Sequence, residues 1–187
     1  MQTKISPSYA EHLNATLNSS RLLIEPIFSA HAESLFEPMQ DENIYKWISI
    51  TPPNSIDELK KRWLQRESRL SPNGNEAWLN WAVRRISDGA YVGKLDAEVD
   101  CMNVVTNLGY IFFSEYWGEG YASESVLELV KHFSKNGVSK IQASVTLGNE
   151  ASYRVLEKSG FIRVNIIPEN DTIRGVKYDE VEYLWQS

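Results

Sequence analysis

Gly118 and Gly120 stand between an apolar run and an amphipathic run, inside the string Ser114-Glu-Tyr-Trp-Gly-Glu-Gly-Tyr-Ala122. Glycine at both places allows backbone turns closed to other residues and lets a ligand come close. A helix that follows such a turn opens with unpaired N–H groups and a partial positive charge, so its first turn can hold phosphate oxygens. A tight turn with no ligand has the same spelling. Two familiar phosphate loops are excluded. The Walker pattern needs a Lys-Ser/Thr ending, and the dinucleotide fingerprint needs a different spacing and an acidic residue on a following strand. Other reactive residue types are sparse. His31 opens a helix and reads as a capping or surface group, His12 and His132 have no partner spacing for a metal, and the single Cys101 excludes an internal disulfide framework and multi-cysteine zinc modules.

The elements that must position this loop follow from periodicity. Arg21–Pro26 reads as a short strand ended by its proline, and His31–Met39 as a helix with Ala32, Leu35, Phe36 and Met39 at helical spacing. Ser55-Ile-Asp-Glu58 spells a capping box and opens a helix to about Arg69. Asn80–Ile86 and Tyr91–Val99 form a hairpin about Ser87-Asp88-Gly89, and Asn107–Phe113, apolar on both faces, reads as a central strand. The glycine string then leads into a helix to about Lys135, with Ala122, Val126, Leu129, Val130 and Phe133 as its apolar stripe. Lys140–Thr146 is a further strand. Asn149 caps a helix ending at Ser159-Gly160, Phe161–Ile167 is another strand, and Val181–Trp185 pairs back with it. Residues 1–20 lack sustained periodicity and read as a loosely attached lead-in to a single mixed α/β domain over 21–187.

Composition narrows the class. The chain has 187 residues, 42% hydrophobic and 24% charged, which is ordinary globular usage. With 25 Asp and Glu against 19 Lys and Arg, the formal charge of −6 argues against a nucleic-acid binder and suits a cationic partner. No run is long enough for a membrane span, and the first residues carry no apolar secretory segment, so a cytoplasmic protein with no membrane partner is expected.

The second half carries a resemblance. Tyr116-Trp-Gly-Glu-Gly-Tyr-Ala-Ser-Glu124, Asn149-Glu-Ala-Ser152 and Val155-Leu-Glu-Lys-Ser-Gly-Phe161 resemble the GNAT superfamily of acetyl-CoA-dependent N-acyltransferases, with Arg21-Leu-Leu, His31-Ala-Glu, Gly93 and Gly109-Tyr110 also in order. The likeness is strongest to the branch holding the ribosomal-protein N-terminal acetyltransferases. It implies a mixed α/β GNAT fold: a mostly antiparallel twisted sheet of six to seven strands, a splayed central pair and about four flanking helices over about Arg21–Trp185. It also implies acetyl-CoA as co-substrate and no metal. The acceptor would be an amine, foremost a protein N-terminus, with a small-molecule amine or a non-catalytic acyl-CoA-binding domain as the alternatives, in a monomer or homodimer.

On this resemblance the pantetheine arm bonds the backbone of Ile111, Phe112 and Phe113 as an added strand would. The diphosphate lies on Gly118, Glu119, Gly120, Tyr121, Ala122 and Ser123, with Arg154 or Lys158 as helpers. Asn149 and Ser152 face the pantetheine and the thiol. Superfamily members often place a tyrosine acid where this chain has Leu156, which leaves Ser152 to place or protonate the thiol. A backbone N–H near Phe112 or Phe113 would serve the developing oxyanion. Glu98 and Asp171, with Glu169 beside the latter, are the candidate bases. Trp47, Trp63 and Trp78 are candidates for the acceptor groove, or for core.

Overall fold

Alternating side chains build most of the protein. The computed structural model describes residues 4–187. Its strands are β1 (Leu17–Asn18), β2 (Leu22–Pro26), β3 (Glu76–Arg85), β4 (Tyr91–Asp100), β5 (Val104–Phe112), β6 (Lys140–Thr146), β7 (Ile162–Ile173) and β8 (Val176–Gln186). They form one eight-stranded sheet in the order β1-β2-β3-β4-β5-β6-β8-β7. Every pairing is antiparallel except β5 with β6. The helices are α1 (Pro7–Leu13), α2 (Ala32–Leu35), α3 (Ile56–Arg66), α4 (Tyr121–Lys135) and α5 (Glu150–Lys158).

Each face of the sheet has its own core. On one, α4 lays Val126, Leu129, Val130 and Phe133 over Leu79, Trp81, Val83 and Leu95. Trp81 meets the Phe133 ring edge-on at 6.2 Å between centroids. On the other, Leu35, Tyr45, Leu59 and Trp63 pack against Ala82, Ile111 and Phe113. Thus β5 is apolar on both faces because both layers meet it. Ser55 caps α3 by accepting the Glu58 N–H at 3.1 Å, while the Glu58 carboxylate turns to Asn54 instead of closing the capping box.

The parallel pairing of β5 with β6 spans only Val104↔Lys140 and Val105↔Ile141. The reason lies on the other side of β5. There Glu98 and Val99 pair with Asn107 and Val105, leaving Thr106 as an extra residue on β5. A bulge bends its strand and re-aims the backbone beyond it. Past Thr106, β5 stays with β4 while β6 goes with β8, and a gap opens between them.

Four details differ from the sequence reading. The sheet has eight strands against the six to seven expected, and the described residues hold five α-helices against about four, because the first twenty residues contribute α1 and β1. That segment is no loose lead-in from Lys4 onward: Ala10 and Leu13 are fully buried and Ile5 nearly so. Residues 1–3 lie outside the described residues. The helix expected over His31–Met39 is broken into one α turn flanked by two 3₁₀ turns, because Pro38 has no N–H to continue it. Finally, β7 and β8 run on past the expected ends as an arm that is mostly exposed or half-buried, with Ile173 as its one buried residue, so the sequence carried no sustained alternation to announce it.

Candidate active site

The backbone of β5 lines the gap. Phe113 donates its N–H to Val92 at 3.0 Å, so the antiparallel alternation turns the polar groups of Ile111 and Gly109 toward β4 as well. The N–H and C=O groups of Leu108, Tyr110 and Phe112 therefore point into the gap. Of the three residues expected to bond an incoming arm, only Phe112 presents its backbone there; Leu108 and Tyr110 do so too and were missed. Strand parity, read with the register, is the signal that finds them. The Phe112 carbonyl already accepts the Trp117 indole N–H at 2.7 Å, which leaves its own N–H facing the gap. Gly109 is glycine for a reason of space, since a Cβ there would stand 2.5 Å from Asp96 Oδ2.

A cavity of about 280 Å³ fills the gap, and the N-terminus of α5 forms one wall. Asn149 caps that helix by accepting the Ser152 N–H at 3.3 Å, and both residues line the cavity beside Leu156. Tyr110 crosses from β5 and donates its hydroxyl proton to the Ser152 carbonyl at 3.2 Å. Burial pushes the Tyr110 phenol up to about 12, against the lowering effect of that hydrogen bond. It stays protonated at any physiological pH.

At the C-terminal end of β5 the chain makes a short turn and enters the glycine string. Gly118 (φ +85°) and Gly120 (φ +81°) are both left-handed, and a Cβ at Gly118 would meet open space. Gly120 is the N-cap of α4 and brings no side chain to it. The first helical bond runs from Glu124 N–H to the Gly120 carbonyl at 3.1 Å, so the N–H groups of Tyr121, Ala122 and Ser123 precede it unpaired within the helix. The Tyr121 ring is buried, while Glu119 is exposed at the tip. Lys158 is exposed in the last turn of α5, roughly 13 Å along the helix from its cap. The arginines beside the loop are instead Arg21 and Arg85: Arg21 lies 4.6 Å over the Tyr121 ring, and Arg85 bonds the Tyr121 hydroxyl at 3.3 Å.

The cavity mouth carries three carboxylates and one ammonium: Asp171 and Glu180 from the β7–β8 arm, and Asp96, paired with Lys94 at 2.6 Å. Glu98 lies two residues further along β4 and does not line the cavity. Burial, with the Glu76 and Asp96 carboxylates beside it, raises its pKa above the ordinary glutamate range. Glu169 sits on the outer arm, paired with Lys177 at 2.6 Å. Of the three tryptophans, Trp47 lines the mouth, where its carbonyl accepts from Thr146 at 2.8 Å. Trp63 is buried in the second core, and Trp78 lies under Arg66. Among the described residues no three His, Cys, Asp or Glu side chains converge as for a metal. Cys101 is exposed in the β4–β5 turn, and no described helix is long and apolar enough to cross a membrane.

Known proteins share this architecture. The sequence model of the family described as Acetyltransferase (GNAT) domain matches residues 21–162. Over 169 residues the chain is 25% identical to YoaA of Bacillus subtilis (strain 168), described as an uncharacterized N-acetyltransferase, covering 89% of this chain and 94% of that one. Among solved structures, RimL, a ribosomal L7/L12 alpha-N-protein acetyltransferase in complex with coenzyme A, superposes with a TM-score of 0.81 at 17% identity, covering 91% of this chain and 97% of that one. The microcin C7 self-immunity acetyltransferase MccE, in complex with acetyl-CoA and AMP, gives 0.80 at 15% identity, covering 100% of this chain and 98% of that one. At these identities the two structures are alike in fold.

Proposed function

The chain belongs to the GNAT acetyltransferase family, and from that premise we propose that it moves an acetyl group from acetyl-CoA to a primary amine, foremost the N-terminal α-amine of a protein such as a ribosomal protein. The observation that carries this reading is the gap between β5 and β6, with the glycine-turned start of α4 at its end. Acetyl-CoA supplies an activated thioester, an amide-bearing arm and an anionic diphosphate, and the residues fit all three. The gap-facing backbone of Leu108, Tyr110 and Phe112 offers a strand edge to the amides. The N–H groups from Gly118 to Ser123 offer donors to the diphosphate, with no Cβ in the way at Gly118. Asn149 and Ser152 hold the thiol end, and Ser152 positions the sulfur.

The chemistry asks little more of the chain. Of the gap-facing N–H groups, that of Leu108, farthest from the glycine turn, is the donor left for the negative charge that develops on the acetyl oxygen, whereas the Phe113 N–H is already committed to Val92. Asp171, on the cavity wall, orients the incoming amine and passes its proton to solvent water; Glu98, behind Asp96, would act only through an intervening water. This modest help suits an α-amine, whose pKa of about 7.7–8.0 leaves part of it neutral near pH 7, better than a lysine near 10.4. The acid-lined mouth also favours a second reading, a small polycationic amine, over a neutral acceptor.

The test is acetyl-CoA protection against thermal unfolding, followed by thiol release with N-terminal peptides and with a panel of small amines. Turnover with peptides supports the first acceptor; turnover confined to small amines selects the second. Failure to bind CoA at millimolar concentration overturns the proposal.

A further inference from the structure

We propose that Arg21, at the entry to β2, is a positioning residue that presets the phosphate-binding loop for the diphosphate; this rests on the acetyl-CoA reading above. Its guanidinium bonds two groups and covers a third. Nη1 donates to the Glu119 carbonyl at 3.1 Å, Nε donates to Glu124 Oε2 at 2.7 Å, and Nη2 lies 2.6 Å from the same oxygen. Its plane covers the Tyr121 ring at 4.6 Å. The Arg21 main-chain N–H adds a bond to Glu124 Oε1 at 3.1 Å, where the hydroxyls of Ser19 and Ser20 also donate at 2.6 and 3.1 Å.

The consequence follows from peptide geometry. In a trans peptide the C=O of Glu119 and the N–H of Gly120 point in opposite directions within one plane. Tying the carbonyl down to Arg21 turns the Gly120 N–H outward, to the side where the diphosphate is proposed to lie. The turn gains from such a fastener, because its two left-handed glycines bring no side chains to hold the Glu119–Gly120 peptide, and ordering it on binding would cost affinity. Arg21 also answers an electrostatic difficulty. Glu124 sits in the first turn of α4, beside the proposed site of an anion, and the ion pair offsets its charge. Lysine cannot replace this arrangement, since a single ammonium lacks the planar fork that reaches a carbonyl and a carboxylate together.

The test compares wild-type, Arg21→Ala and Arg21→Lys by calorimetric CoA affinity and by turnover of acetyl-CoA and S-acetylpantetheine, which lacks the diphosphate. With Arg21→Ala the CoA Kd and the acetyl-CoA KM rise about tenfold, as for loss of a charge-assisted contact. The kcat, the acceptor KM and the rate with S-acetylpantetheine stay near wild-type. Arg21→Lys keeps the charge beside Glu124 and folds even where the alanine variant does not; its CoA Kd also rises. An unchanged CoA Kd in the folded lysine variant, or an equal loss with both acetyl donors, overturns the assignment. Wild-type protein that binds no CoA overturns the acetyl-CoA reading itself, and this one with it.

Discussion

Tyr110 and Glu98 illustrate how one strand position sets a side chain's work. Tyr110 faces α5, so its hydroxyl ties β5 to the Ser152 carbonyl across the gap. Tyr110→Phe should lose about 1 kcal/mol of stability. It should also lower kcat several-fold, because Ser152 and Asn149 are no longer held against the strand; steady-state kinetics beside a denaturant melt would check both. A variant with the stability loss but an unchanged kcat would remove Tyr110 from the site. Glu98 faces the other layer, among Glu76 and Asp96, and its raised pKa means that the fold disfavours its charged form. Its contribution is therefore intact below the ordinary glutamate pKa and is lost as pH rises through the raised one. Glu98→Gln should melt higher than wild-type at neutral pH, by less than about 1 kcal/mol after solvent screening. The two curves should converge in acid. Asp171 lines the cavity where Glu98 does not, so Asp171→Asn should slow acetyl transfer more than Glu98→Gln does.

At the scale of elements, a bulge and a glycine turn do the positioning. The extra residue Thr106 ends the β5–β6 pairing, and the gap begins there; Gly120 then starts α4 without a side chain. A valine at position 120 would have to adopt φ near +81°, which is costly for a β-branched residue. Gly120→Val should abolish CoA binding in calorimetry, while the melting temperature falls only modestly, since the strain sits at an exposed turn. Intact CoA affinity in that variant would contradict the phosphate-loop reading. The segment ahead of β2 is also structural: α1 inserts Leu13 into the same core as Trp81, and Asn14 bonds the Asn80 carbonyl at 3.1 Å. Leu13→Ala should cost about 2–5 kcal/mol, measurable by chemical denaturation. A loss near zero would restore the picture of a loose lead-in.

Over the whole molecule the charge of −6 takes on a direction. Asp96, Asp171 and Glu180 line the cavity with Lys94 as the one cation among its lining residues, while Arg21 and Arg85 flank the glycine turn. On the proposed function a cationic acceptor would be drawn to those carboxylates, while the anionic donor would be held by the N–H groups of the turn that Arg21 presets. The kcat/KM for a basic peptide should fall as salt shortens the Debye length to about 8 Å at physiological ionic strength. That for a neutral amine should stay flat. Equal salt dependence for the two would remove the acidic mouth from acceptor recognition.

The sequence alone was enough for the order of elements from Arg21 on, the hairpin at Ser87–Gly89, the caps at Ser55 and Asn149, and the glycine turn into α4. These are local matters of periodicity, capping and backbone freedom, and each is written within a few adjacent residues. The arm of β7 and β8 was not legible, because it buries only Ile173 fully and so carries no sustained alternation. Neither was the place of α1, whose few apolar residues find their partners in a core built from distant strands and α4. The site divides the same way. Gly118 and Gly120 announce themselves by type and spacing, and Asn149 and Ser152 by the family resemblance, but the gap-facing backbone of Leu108 and Tyr110 depends on a register. Likewise the split between Asp171 and Glu98, and the hold of Arg21 on a loop 98 residues away, depend on which strands come to lie side by side. Tertiary structure decided those, because a contact between distant segments exists only once both cores have closed on the sheet.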